Sequence, residues 1–158
     1  MGGAVHVPGN IVEVDSTLKN AYAEWNIYLD PLAASIVFRS GVPVTLVPLD
    51  ATNQVPIDEN FYTQLKTNQN TPAGKFTYEL FKHNEKMLRA CQWYFWDPLA
   101  AVVASDESVA KIKIEHLSVV LTGAQSGRTQ IDNQHGSHVR VCMGVDKTKF
   151  KKMLLEKV

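Results

Sequence analysis

Two clusters in this 158-residue chain set polar groups among apolar ones in a way that could hold a ligand. The first joins Gly9-Asn10 to Ala23-Glu24-Trp25-Asn26-Ile27-Tyr28, and the second is Trp93-Tyr94-Phe95-Trp96-Asp97-Pro98. Asn10, Glu24 and Asn26 supply amide donors and a carboxylate acceptor, a set suited to sugar hydroxyls. In extended backbone Glu24 and Asn26 project to the same side, so both could reach one ligand. The same residues also fit a turn at Asn10 and surface groups at 24 and 26, and spacing alone favours that plainer assignment. In the second cluster, large aromatics beside the Asp97 carboxylate could hold a flat ring and a charge together. Asp97 before a proline equally fits a helix N-cap, and Trp96 a core residue.

Other chemistries find no support. His135 and His138 lie in a Gly/Ser/Asn-rich connection, and His6, His83 and His116 are isolated. The sequence shows no Ser-His-Asp arrangement, Cys-His pair, phosphate-cradling Gly loop or metal-spaced His/Cys set. Sixteen Lys+Arg balance sixteen Asp+Glu. That argues against a nucleic-acid binder and offers no polybasic handle for an anionic membrane. No apolar run approaches the roughly 18 residues of a membrane helix, and the N-terminus does not read as a signal peptide. Cys91 and Cys142 are too few for a disulfide framework; a reduced, cytoplasmic setting with buried thiols is expected.

The elements that must position these clusters are those of a mixed α/β chain. Residues 1–28 read as extended and irregular, with a turn at Pro8-Gly9-Asn10. Asp30 to Gly41 reads as a short helix, with Asp30 as cap, Pro31 in the first turn and Gly41 as the stop. Val42 to Leu49 reads as a short buried strand. Asp58 to about Lys66 is expected to be helical. Pro72 to Gln92 reads as a longer helix with Phe76, Leu80, Phe81, Met87 and Leu88 at helical spacing. Asp97 to Ala104 opens another helix with the same Asp-Pro-Leu-Ala-Ala start as Asp30. Ile112 to Leu121 and Val139 to Val145 suggest an antiparallel pair across a polar connection, and Asp146 can cap a final helix bearing Phe150.

At these residues the sequence resembles the nucleoside hydrolases of the inosine-uridine type. The matching string runs Met1-Gly2-Gly3, Gly9-Asn10, Ala23-Glu24-Trp25-Asn26, Asp30-Pro31 and Ala33-Ala34. It continues through Val47-Pro48-Leu49-Asp50, Trp96-Asp97-Pro98-Leu99-Ala100, Gly127-Arg128-Thr129 and Val145-Asp146. The resemblance spans nearly the whole chain in order. It implies the C-terminal portion of a Rossmann-like α/β fold, residues 1–158 forming one partial domain. It also implies cleavage of the N-glycosidic bond of ribonucleosides, giving ribose and base, with a bound Ca²⁺. By position, Met1, Asn10, Glu24 and Asn26 would contact ribose, and Asp97 would bind both calcium and a ribose hydroxyl. Trp96 stands where many members have His, as in the purine-preferring inosine-adenosine-guanosine branch, where indoles stack on the base.

One feature of the family is missing. Its Asp-x-Asp-x-Gly-x-Asp-Asp motif supplies the main calcium carboxylates and the water-activating base, and none of the eight Asp here forms an Asp-x-Asp pair. No catalytic base is therefore assigned within this chain. Met1 coincides with an internal methionine of the family, so the expectation is a C-terminal half, inactive without the N-terminal one. The expected partners are a ribonucleoside and either a second copy of the chain or the missing half. The competing expectation is a non-catalytic binding module derived from such an enzyme.

Overall fold

The computed structural model describes residues 1–86 and 93–158. The Met87 and Leu88 end of the expected long helix, and Cys91, lie outside the described residues. The chain divides into two compact units, Met1–Ala51 with Lys111–Gly144, and Thr52–Ala110 with Val145–Val158.

The first unit is built on a four-stranded sheet of order β1-β4-β2-β3. Its strands are β1 (Thr45–Leu46), β2 (Ala110–Val119), β3 (Thr129–Ile131) and β4 (Ser137–Val145). β1 runs parallel to β4, with Thr45 opposite Arg140, and β2 pairs antiparallel with β3, Leu117 opposite Ile131. The expected strand Val42–Leu49 shrinks to two residues. Pro43 and Pro48 cannot donate to a ladder, and a short helical turn takes over at Leu49. The polar connection before β4 is not merely a loop, because Thr129–Ile131 adds the outer strand.

Residues 1–28 are also more ordered than expected: α1 (Ile11–Val14) and α2 (Trp25–Leu29) are short helices. α3 (Pro31–Arg39) follows, with Ala33 N donating to Asp30 Oδ1 at 2.9 Å, and Gly41 just beyond its end at φ +77°. Its inner side carries Phe38 into a core of Ile27, Leu46, Leu117, Val119, Val139 and Val141. Burying each such side chain contributes about 1.5–3 kcal/mol.

In the second unit, α5 (Glu59–Thr67) follows the Leu49–Thr52 turn, α4, and is capped by Asp58, which accepts from Phe61 N at 2.8 Å. α6 (Pro72–His83) buries Phe81, but Phe76 is 72% exposed and Leu80 is exposed too, so helical spacing alone misjudged its inner face. α7 (Trp96–Ser105) contributes Leu99, Val102 and Val103 to the core. α8 (Lys147–Leu155) is capped by Asp146, which accepts from Lys149 N at 2.9 Å. The centre is aromatic: Phe95 meets Phe61 edge-on at 4.7 Å and Phe150 at 5.3 Å. Among the described residues no helix is long and apolar enough to cross a membrane.

Candidate functional site

Met1, Asn10, Glu24 and Asn26 come together in the first unit, around a carboxylate that is almost wholly buried. Glu24 is 2% exposed and stands at the N-cap of α2. Its Oε1 accepts from Asn26 N at 2.9 Å, and its Oε2 accepts from Ile27 N at 3.1 Å and Gly3 N at 2.9 Å. A buried carboxylate needs such partners, because leaving it unpaired would be costly. The expectation of a surface group at 24 is thereby corrected. The carboxylate fixes the start of α2 and the Met1–Gly3 segment at once, and Oε1 keeps one acceptor site for a ligand hydroxyl.

The amides complete the locus. Asn10 Oδ1 accepts from Trp25 N at 2.9 Å, leaving its Nδ2 without a partner among the described residues. Asn10 is thus more than a turn residue: its side chain reaches across to α2 instead of capping α1. Asn26 is exposed, and its Nδ2 lies 3.5 Å from Met1 Sδ. The arrangement offers donors at Asn10 and Asn26, one acceptor at Glu24 and a soft thioether beside them. That set fits adjacent hydroxyls on a compact polar ligand.

Sequence reasoning assigned no positioning role to several residues around this locus. Asp50, 6% exposed, accepts from Val5 N at 2.9 Å and His6 N at 2.8 Å, and so anchors the N-terminal segment. Asn20 accepts from Tyr22 N and Ala23 N and donates to Ser126 O at 2.7 Å, which ties the approach to Glu24 to a distant loop. The Arg128 guanidinium sits 4.7 Å over the Tyr22 ring. Gly9 must be glycine, since a Cβ there would stand 2.0 Å from Ala23 O. An Asn three residues before a buried Ala is a visible local signal. The partners 45 or 106 positions away are not.

In the second unit Trp96 and Asp97 open α7, and Asp97 is not its cap. The helix begins at Trp96 behind Phe95, which makes no side-chain capping bond. Asp97 is exposed in the first turn, and its carboxylate takes no hydrogen bond among the described residues. Trp96 is half-buried, tilted 50° to the Tyr94 ring at 5.7 Å. Its Nε1 is buried with no hydrogen-bond partner among the described residues. An indole usually finds an acceptor when buried, so this donor is available to a bound group.

Ca²⁺ takes about six to eight oxygens. Among the described residues no group of three or more His, Cys, Asp or Glu could hold a metal ion. The described residues therefore do not make a calcium site.

Comparison with known proteins places these features in context. The profile of the inosine-uridine preferring nucleoside hydrolases matches residues 1–152. The chain is 32% identical over 135 residues to nucleoside hydrolase 3 of Arabidopsis thaliana, covering 72% of this chain and 15% of that protein. Its backbone superposes on a purine-preferring ribonucleoside hydrolase from Gardnerella vaginalis with a TM-score of 0.79 and 34% identity, covering 98% of this chain and 49% of that one. An inosine-uridine preferring nucleoside hydrolase from Bacillus anthracis gives a TM-score of 0.81 and 27% identity, covering 100% and 50%. The chain therefore spans about half of these solved structures and shares that portion of their mixed α/β fold.

Proposed function

Since the chain belongs to the inosine-uridine preferring nucleoside hydrolase family, we propose that it carries the ribose- and base-holding portion of a purine-type nucleoside hydrolase. The observation that carries this reading is the gathering of Met1, Asn10 and Asn26 around the buried Glu24 carboxylate. Glu24 Oε1 and the Asn10 and Asn26 amides would engage ribose hydroxyls. Such contacts strengthen as the sugar takes on oxocarbenium character and its hydroxyls become better donors. Met1 Sδ would pack against the sugar.

Trp96 would receive the base on its indole face. A purine offers more stacking area than a pyrimidine, and the position has no imidazole to protonate a leaving pyrimidine. Purine preference follows from that chemistry. Asp97, with no partner of its own among the described residues, would accept from a ribose hydroxyl and contribute one ligand to Ca²⁺. Among the described residues nothing is assigned as the remaining calcium ligands or as the base that activates water, so no hydrolytic step is assigned to them.

The decisive assay measures ribose release from inosine and uridine with Ca²⁺ present. The chain alone should release none. Mixed with a polypeptide bearing the family's Asp-rich N-terminal half, it should release ribose, faster from inosine. Release by the chain alone would refute the division of labour. A well-folded mixture that binds inosine without cleaving it would instead favour a non-catalytic binding module.

A further inference from the structure

The second unit holds a cleft that the nucleoside reading does not use. It has a volume of about 510 Å³ and is lined from α5 by Asn60, Gln64 and Asn68, and from α8 chiefly by Lys147, Lys151, Lys152 and Glu156. The spacing explains why these side chains meet. Positions 60 and 64 form one i, i+4 row on the exposed side of α5, beside the buried Phe61 and Leu65, and Asn68 continues it as the C-cap. On α8, 147 and 151 form one row and 152 and 156 another, while Phe150 faces inward. Two apolar stripes pack into the core, and their polar rows are left lining a groove. Rising 1.5 Å per residue, the amide row is about 12 Å long.

The lysines of α8 divide into two kinds. Lys149 pairs with Asp106 at 3.3 Å, and Lys151 pairs with Asp58. Lys147 and Lys152 have no carboxylate partner among the described residues, and both line the cleft. Asn68 Nδ2 is fixed on Leu155 O at 3.1 Å, whereas the Asn60 and Gln64 amides have no partner among the described residues. Two uncompensated ammonium groups and two unpaired amides thus share one concave surface, whose volume lies within the usual range for small-molecule sites. Glu156 adds an acceptor for hydroxyl donors and repels a second anionic end.

We infer that the α5/α8 cleft is a binding site for a small phosphomonoester carried on a hydroxylated body, its phosphoryl group held by Lys147 and Lys152 and its hydroxyls by Asn60, Gln64 and Glu156. The site is independent of the nucleoside reading and does not require the acidic half of the family fold. Calorimetric titration of the 158-residue chain with ribose 5-phosphate tests it, beside inorganic phosphate, ribose and citrate. Saturable binding of ribose 5-phosphate is expected, at least about tenfold tighter than the other three. Lys147→Gln/Lys152→Gln should weaken it about tenfold or more, with an unchanged circular dichroism spectrum. Asn60→Ala/Gln64→Ala should bring its affinity down toward that of inorganic phosphate. Absence of saturable binding, full binding in the lysine variant, or equal affinity for citrate would overturn the proposal. Equal affinity of the wild-type chain for inorganic phosphate would do the same, because the amides would then read nothing.

Discussion

The same five residues, Asp-Pro-Leu-Ala-Ala, start two helices in this chain, and the two aspartates do different things. Asp30 lies outside α3 with non-helical backbone and caps it, accepting from Ala33 N at 2.9 Å, while Pro31 takes the first helical position. Asp97 has been drawn inside α7, one residue past its start, and caps nothing. The difference is made upstream. Phe95 is 1% exposed, packed between Phe61 and Phe150, and its N–H donates to Val55 O at 3.1 Å. That anchor turns the chain early, so that Leu99 N already donates to Phe95 O at 3.2 Å. Tertiary packing has moved the helix start past the local signal. One carboxylate is tied into the fold, and the other takes no hydrogen bond among the described residues.

The contrast can be broken at its source. Phe95→Ala should remove the anchor and cost about 3–5 kcal/mol, the usual loss for a buried phenylalanine, read as a lowered urea midpoint. Asp30→Ala should cost about 1 kcal/mol in the same experiment, as expected for loss of a single N-cap.

A smaller effect lies in pH. Burial pushes the Asp58 carboxyl upward, but the hydrogen bond from Lys151 and the Phe61 N–H together outweigh it and hold the group below the usual carboxylate range. A carboxyl depressed in the folded state stabilises above its unfolded value, about 3.9. Its contribution is lost as pH falls through the lower folded value. Thermal melts of Asp58→Asn should therefore lie below wild type at neutral pH, with the gap closing as pH falls below about 4. Least of all, Asp97→Ala should change stability by no more than about 0.5 kcal/mol, as for an exposed group without a structural role. The same variant should lose ribose release when mixed with the acidic half. A destabilisation equal to that of Asp30→Ala would mean that Asp97 is a structural cap after all.

How much of this was legible in the sequence depends on how far each feature reaches. The caps at Asp30 and Asp146 are settled within three residues, and turn chemistry finds them; Asp58, expected as the first helical residue, is equally local and caps α5 instead. Glu24 is also a cap, but Glu is not among the favoured capping residues. Its third partner, Gly3 N, is 21 positions away. Its burial could not be read from a window of charged and polar neighbours. Asp50 and Asn20 are hidden for the same reason, since their tasks span 45 and 106 residues. The strand at Thr45–Leu46 was overextended because β-branched content outweighed the two prolines that limit it. The resemblance to nucleoside hydrolases singled out Glu24 and Asp97 as candidates, yet it could not say that Glu24 is buried or that Asp97 takes no hydrogen bond among the described residues.

The account turns on whether the amides gathered around Glu24 receive a nucleoside. Titrating the isotopically labelled chain with inosine, and following the side-chain amide signals of Asn10 and Asn26 by NMR, tests this most directly. The prediction is a saturable shift of both, with the Asn26 signal removed and the binding weakened in Asn26→Ala. Saturable inosine binding that leaves both signals in place would contradict it.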